Sequence, residues 1–153
     1  MAKTTQTKNL EKMLWKKLIL DKKGIYGCFE VTLGNRDIYN NLGVAEIVDF
    51  ITYDNTNTVR CYEIKVTKSD FNSSAKVSFY GHYNYYVMPH ELYEELKDKI
   101  PYQIGVIDET GTVVKNARKK QIAFYIQSMI IESMMKSLHR EQTKLYKQKG
   151  YWE

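Results

Sequence analysis

The chain has 153 residues, of which 13% are aromatic and 27% charged, and its formal net charge is +5. That composition suits one domain with a real core and excludes a disordered chain. No apolar run approaches the ~20 residues of a membrane span, so a bilayer-spanning helix is excluded as well.

Residues 8–20, KNLEKMLWKKLIL, place apolar side chains at 10, 13, 14, 18 and 20 with lysines between, which predicts an amphipathic helix. Gly24 follows as a stop signal. IYGCFEVTLG (25–34) predicts a strand and NRDIYNNLG (35–43) a polar loop. VAEIVDFITYD (44–54) predicts a second strand, DNTNT (54–58) a turn, and Val59 to Val66 a third strand. KSDFNSSAK (68–76) predicts a short helix capped by Ser69 or Asp70, and NYYVMP (84–89) a short buried strand. HELYEELKDKI (90–100) is expected to be helical, QIGVIDE (103–109) a strand and TGTVVK (110–115) its hairpin return. A long helix is expected from 119 to 147. Such an order mixes hairpins with a helical crossover between the strands at 59–66 and 84–89, which predicts a mixed sheet with helices on both faces, an α/β fold of the mixed α+β kind.

The third strand raises a question. Glu63 and Lys65 are two residues apart and therefore point to one face of a strand that is otherwise apolar. They are either a solvent-facing ion pair or functional groups held on a sheet. If the turn centres on Thr56, the numbers of hairpin partners sum to 112, and Asp49 lies directly opposite Glu63. Like charges so placed repel one another, and a cation is the natural remedy. The same face is expected to carry Ala45, Ile47, Ile51, Val59 and Cys61, a poor setting for uncompensated charge. Hard carboxylate oxygens suit Mg²⁺ or Mn²⁺, and Lys65 would orient a water and offset charge on a phosphate.

An acid on one strand followed by Glu63-Ile64-Lys65 on the next resembles the motif of the PD-(D/E)XK nuclease superfamily, with Val48 in place of the proline before the first acid. EVTLG, VDF, CYEIKVTKSDF and NYYVMP resemble more narrowly its MmcB-like branch, whose members are associated with DNA repair and occur also in bacteriophages. The resemblance covers about residues 8–115, leaving 116–153 as a basic helical extension of the single domain. It implies a restriction-endonuclease-like αβββαβ core, Mg²⁺- or Mn²⁺-dependent hydrolysis of DNA, and a catalytic set of Asp49, Glu63 and Lys65. Asp49, Glu63 and the Ile64 backbone carbonyl would be the metal ligands. Superfamily members often carry a further glutamate on the first helix, and Glu11 is the candidate, beside the apolar stripe of that helix. Glu30 and Glu46 are weaker candidates, Glu46 being expected on the face opposite Asp49. Nucleic-acid contacts are expected from Lys68, Lys76, Tyr80 and His82, the last three near the mouth of the site, and from Lys119 and Lys120.

Charge is unevenly spread. Residues 1–23 carry +5, 24–114 carry −6 and 115–149 carry +7. An acidic middle between basic ends fits a polyanion held by the ends while the middle acts on it, and it also fits ordinary solvated helices. The apolar stripe Ile122, Tyr125, Ile126, Met129, Ile130, Met134 and Leu138 is either core or a homodimer interface. Cys28 and Cys61 read as small buried residues of a cytoplasmic protein. The expectation is a metal-dependent nuclease of phage or bacterial DNA processing. The rivals are a catalytically silent nucleic-acid-binding or host-protein-interacting module on the same fold.

Overall fold

The computed structural model describes residues 2–33, 46–73 and 78–153. The expected loop at 35–43, Ala45 and Lys76 lie outside the described residues. The elements are α1 (Thr5–Leu14, continued by a π-helical turn, Trp15–Leu20), β1 (Ile25–Leu33), β2 (Glu46–Asp54), β3 (Val59–Ile64), α2 (Lys68–Phe71), β4 (Tyr83–Val87), α3 (His90–Leu96), β5 (Gly105–Ile107), β6 (Val113–Lys115) and α4 (Phe124–Gln148).

The six strands form one sheet in sequence order. β1, β2 and β3 are antiparallel, β3, β4 and β5 run parallel, and β5 and β6 close antiparallel. The expected mixed sheet is therefore observed, with the 59–66 and 84–89 strands in parallel. Two hairpins use one device. In DNTNT, Asp54 Oδ1 accepts the N–H groups of Thr56 and Thr58 at 2.9 and 3.3 Å. In DETGT (108–112), Asp108 Oδ1 accepts those of Thr110 and Thr112 at 2.9 and 3.2 Å. The residue fourth in each, Asn57 or Gly111, takes a positive φ, which Asn and Gly tolerate best.

Both sheet faces are covered. Leu10 and Leu14 of α1 pack on Phe50, Tyr62, Ile64, Val87 and Ile107, with Met13, Leu18 and Ile19 beside them. The π-turn, closed by the Asp21 N–H to the Lys16 carbonyl at 2.9 Å, lets Ile19 reach the sheet where Gly27 leaves room. On the other face Ile126, Met129, Ile130 and Met134 of α4 cover Cys28, Val31, Val48, Ile51 and Cys61. That half of the C-terminal stripe is core, while Tyr125 and Leu138 stay exposed. α3 packs Leu92 and Leu96 against Tyr86, Met88 and Val106. α4 begins at Phe124 rather than 119, so Lys119 and Lys120 sit in a segment without regular secondary structure before it. Among the described residues no helix is long and apolar enough to cross a membrane.

Candidate functional site

The hairpin register is the expected one: Tyr53–Val59, Thr52–Arg60, Ile51–Cys61 and Phe50–Tyr62 are partners. Continued by one step it sets Asp49 opposite Glu63. The ladder stops there, and the Asp49 carboxylate Oδ2 instead accepts the Ile64 backbone N–H at 2.8 Å.

A face switch explains this. Val48 and Phe50 would share a face in a regular strand, yet Val48 belongs to the α4 cluster and Phe50 to the α1 cluster. On β1 their partners Val31 and Phe29 divide the same way, and Glu30 between them has φ 54°. Register is unchanged across the break, so both strands turn over together without gaining a residue. Asp49 sits at the turnover and its carboxylate swings toward β3. The simple alternation expected for this face therefore fails locally: Ile51 is fully buried under α4, while Ile47 is exposed and lines the site.

The site is a pocket of about 310 Å³ lined by Asp49, Glu63, Ile64 and Lys65, together with Lys3, Thr7, Glu11, Glu30, Ile47, Asp70 and Ser73. Glu63 and Lys65 are buried, at 5% and 6% exposure, which rules out the solvent-facing ion pair. Lys65 follows β3 and is fixed by its N–H to the Val87 carbonyl at 3.0 Å. Burial, then the charge and hydrogen bond of Asp49, push the Glu63 carboxyl up to about 9. Burial also raises Asp49, against the opposing pull of the Ile64 N–H, Glu63 and Lys65. At neutral pH the pair therefore retains a proton between its carboxyls. Ile64's carbonyl lies on the β2 side of the strand like its N–H, because both groups of a strand residue point to one side.

Glu11 enters the pocket from α1, ion-paired to Lys3 at 2.7 Å, and Lys3 also holds Glu30 at 2.9 Å. Sequence reasoning missed Lys3, which carries no local signal, and Asp70 as a pocket residue. Thr67, not Ser69 or Asp70, caps α2, accepting the Asp70 N–H at 3.0 Å. Asp70 reciprocates by accepting the Val66 N–H at 3.1 Å, so the Thr67-x-x-Asp70 spacing was the available signal.

The other expected residues lie elsewhere. Glu46 is buried and accepts the Ser78 N–H at 2.9 Å, a structural role. His82 Nδ1 accepts the Val59 N–H at 3.0 Å, at the opposite end of β3 from Glu63. Burial, then the charges of Lys119 and Arg60, lower its pKa. Tyr80 packs on the α4 cluster below Lys120, whose Nζ is 6.0 Å from the ring centroid. Lys68 is exposed and paired with Glu95 at 3.3 Å. Asp49, Glu63, Lys65 and Glu11 are thus brought together, whereas Tyr80, His82, Lys119 and Lys120 gather away from them.

No protein-family model matches the chain, and no curated protein does. Among solved structures, a protein of unknown function from Silicibacter pomeroyi is similar, with a TM-score of 0.74, 16% identity, and coverage of 97% of each chain. At that identity the likeness shows the fold alone: a mixed six-stranded sheet flanked by helices, with a long C-terminal helix.

Proposed function

We propose that the protein is a divalent-metal-dependent nuclease that hydrolyses DNA phosphodiester bonds in phage or bacterial DNA processing, on a restriction-endonuclease-like core of the MmcB-like PD-(D/E)XK type. The observation that carries the reading is the meeting of Asp49, Glu63 and Lys65 in one pocket, a half-buried and a buried carboxyl beside a buried lysine. A stable fold has no need of that arrangement, because opposed carboxyls cost stability unless something neutralises them.

The donor set fits Mg²⁺ or Mn²⁺, which take one or two carboxylates and complete their shell with water and phosphate oxygens. Asp49, Glu63 and the Ile64 carbonyl would hold the ion, and it would supply Lewis-acid stabilisation of charge on the phosphate. Loading would require Asp49 and Glu63 to release to solvent the proton that Glu63 holds. The Ile64 N–H fixes Asp49 in place, and Lys65 orients the attacking water and offsets phosphate charge. Glu11, which lines the same pocket, would add a further carboxylate to the site, held by Lys3 at 2.7 Å.

One observation favours the catalytically silent module on the same fold. Among the described residues no three His, Cys, Asp or Glu side chains converge as a ready metal cage, and Glu11 is already ion-paired. Incubation with single-stranded, duplex and branched DNA, with and without Mn²⁺, separates the two. Cleavage that is lost in Lys65→Ala and Glu63→Ala supports the nuclease. Binding without cleavage under every condition leaves the silent module.

A further inference from the structure

A second pocket, of about 490 Å³, opens where the segment between β6 and α4 crosses back over the sheet, and Arg118, Lys119 and Lys120 line it together with Ser78, Phe79 and Gln103. Two backbone bonds fix the segment, from the Arg118 N–H to the Gln103 carbonyl at 3.0 Å and from the Lys120 N–H to the His82 carbonyl at 2.7 Å. Arg118 lies over the Tyr102 ring, 4.5 Å from its centroid, and Lys120 Nζ donates to the Phe79 carbonyl at 2.9 Å. Among the described residues none of these three cations forms an ion pair, unlike Lys3, Lys68, Lys97 and Lys136.

Three adjacent positive charges, none of them ion-paired among the described residues, raise the local potential even with the Glu46 carboxylate on the Ser78 N–H at 2.9 Å, and neighbouring groups register it. Beyond the effect of burial, Arg118 lowers the pKa of Lys115 and Lys119 lowers that of His82. Behind the wall the Ser78 hydroxyl oxygen is shielded from solvent and makes no hydrogen bond among the described residues. The pocket shares its sheet face with Glu63. Asn84, another lining residue, pairs with Cys61, and Tyr86, two residues on, pairs with Glu63, so Asn84 and Tyr86 flank β3 on the side where Glu63 stands. Phe79 stacks edge-on against Tyr86 with centroids 5.1 Å apart, which holds the ring in the pocket wall.

We propose that this pocket holds a backbone phosphate of a nucleic acid, with Arg118, Lys119 and Lys120 as its cationic contacts and Phe79 as an apolar wall for the adjoining sugar or base. The choice of nucleic acid rests on the function proposed above, while the site itself does not depend on catalysis. Binding of a short labelled DNA duplex is therefore measured by fluorescence anisotropy in EDTA, across a range of salt. The triple variant Arg118→Ala/Lys119→Ala/Lys120→Ala should bind roughly tenfold or more weakly, with the slope of log affinity against log salt reduced by about one. Removing equal charge elsewhere, by Lys22→Ala/Lys23→Ala/Lys149→Ala, should change affinity by less than about threefold. If the two variants behave alike, the pocket is a solvated basic surface and the proposal is overturned. It is equally overturned if the pocket variant loses binding only to phosphatidylserine vesicles. Should the triple variant not fold, Lys119→Glu at an exposed side chain repeats the comparison. Loss of binding here with no cleavage in Mn²⁺ would retain this site and sink the nuclease.

Discussion

The Asp49 carboxylate takes the place of a strand: its Oδ2 accepts the Ile64 N–H at 2.8 Å, one step past the last rung of the β2–β3 ladder. The bond gives a buried amide its partner and aims the remaining carboxylate oxygen toward Glu63. Asp49→Asn keeps an acceptor there, whereas Asp49→Ala leaves the amide unsatisfied. Asp49→Ala should be less stable than Asp49→Asn by about 1–3 kcal/mol in urea unfolding. Equal stabilities would mean that the bond is not formed in solution.

The proton held by Glu63 makes stability depend on pH. Its folded-state pKa of about 9 lies above the ordinary carboxylate range, so the folded state binds more protons than the unfolded chain between those values. The stability this contributes is fully present below the unfolded pKa, near 4.5, and is lost as pH rises through the folded value. Glu63→Gln mimics the protonated acid and cannot lose it. In EDTA, the melting temperature of the variant minus that of wild type should therefore climb steadily from pH 5 to about 9. A difference that stays flat would place the Glu63 pKa in the ordinary range.

Divalent ions should act against the same repulsion. If Asp49 and Glu63 hold Mn²⁺, the ion binds the folded chain and raises its melting temperature by mass action. Lys65→Ala removes no ligand and should retain that shift while cleavage falls by ~10²–10³ or more. Glu63→Ala should lose both. Melting curves beside a cleavage assay check this, and an absent Mn²⁺ shift in the wild type would end the metal reading.

His82 should prove structural. Its Nδ1 satisfies the Val59 N–H at the far end of β3 from Glu63. His82→Ala should cost about 1 kcal/mol of stability and leave any cleavage rate within about twofold. A large loss of rate at unchanged stability would bring His82 into the chemistry.

Gly27 tests the packing under the π-turn. A Cβ there would lie 2.6 Å from Phe50 Cζ and 3.0 Å from Ile19 Cδ1, closer than side chains tolerate. Gly27→Ala should destabilise by about 1–3 kcal/mol in denaturant unfolding.

The sequence by itself determined the strands, the 112 register and the parallel crossover, because these follow from local rules. Side-chain alternation, the Asp54 turn and the apolar run before Pro89 each act over a few residues. It also brought Asp49, Glu63 and Lys65 to one place, since hairpin register converts spacing along the chain into proximity. Only the tertiary structure decided what surrounds them. Lys3 and Glu30 join the pocket because α1 lies over the sheet and β1 turns over with β2 at Glu30 and Asp49. That turnover violates the alternation from which the sequence argument was built, so no periodicity could announce it. The same limit moved Tyr80 and His82 away from the carboxylates and set Lys119 and Lys120 beside that pair. Their position depends on where the 116–123 segment crosses the sheet, and that is set by backbone bonds to Gln103 and His82. Contacts between segments so far apart in the chain leave no local pattern in either one.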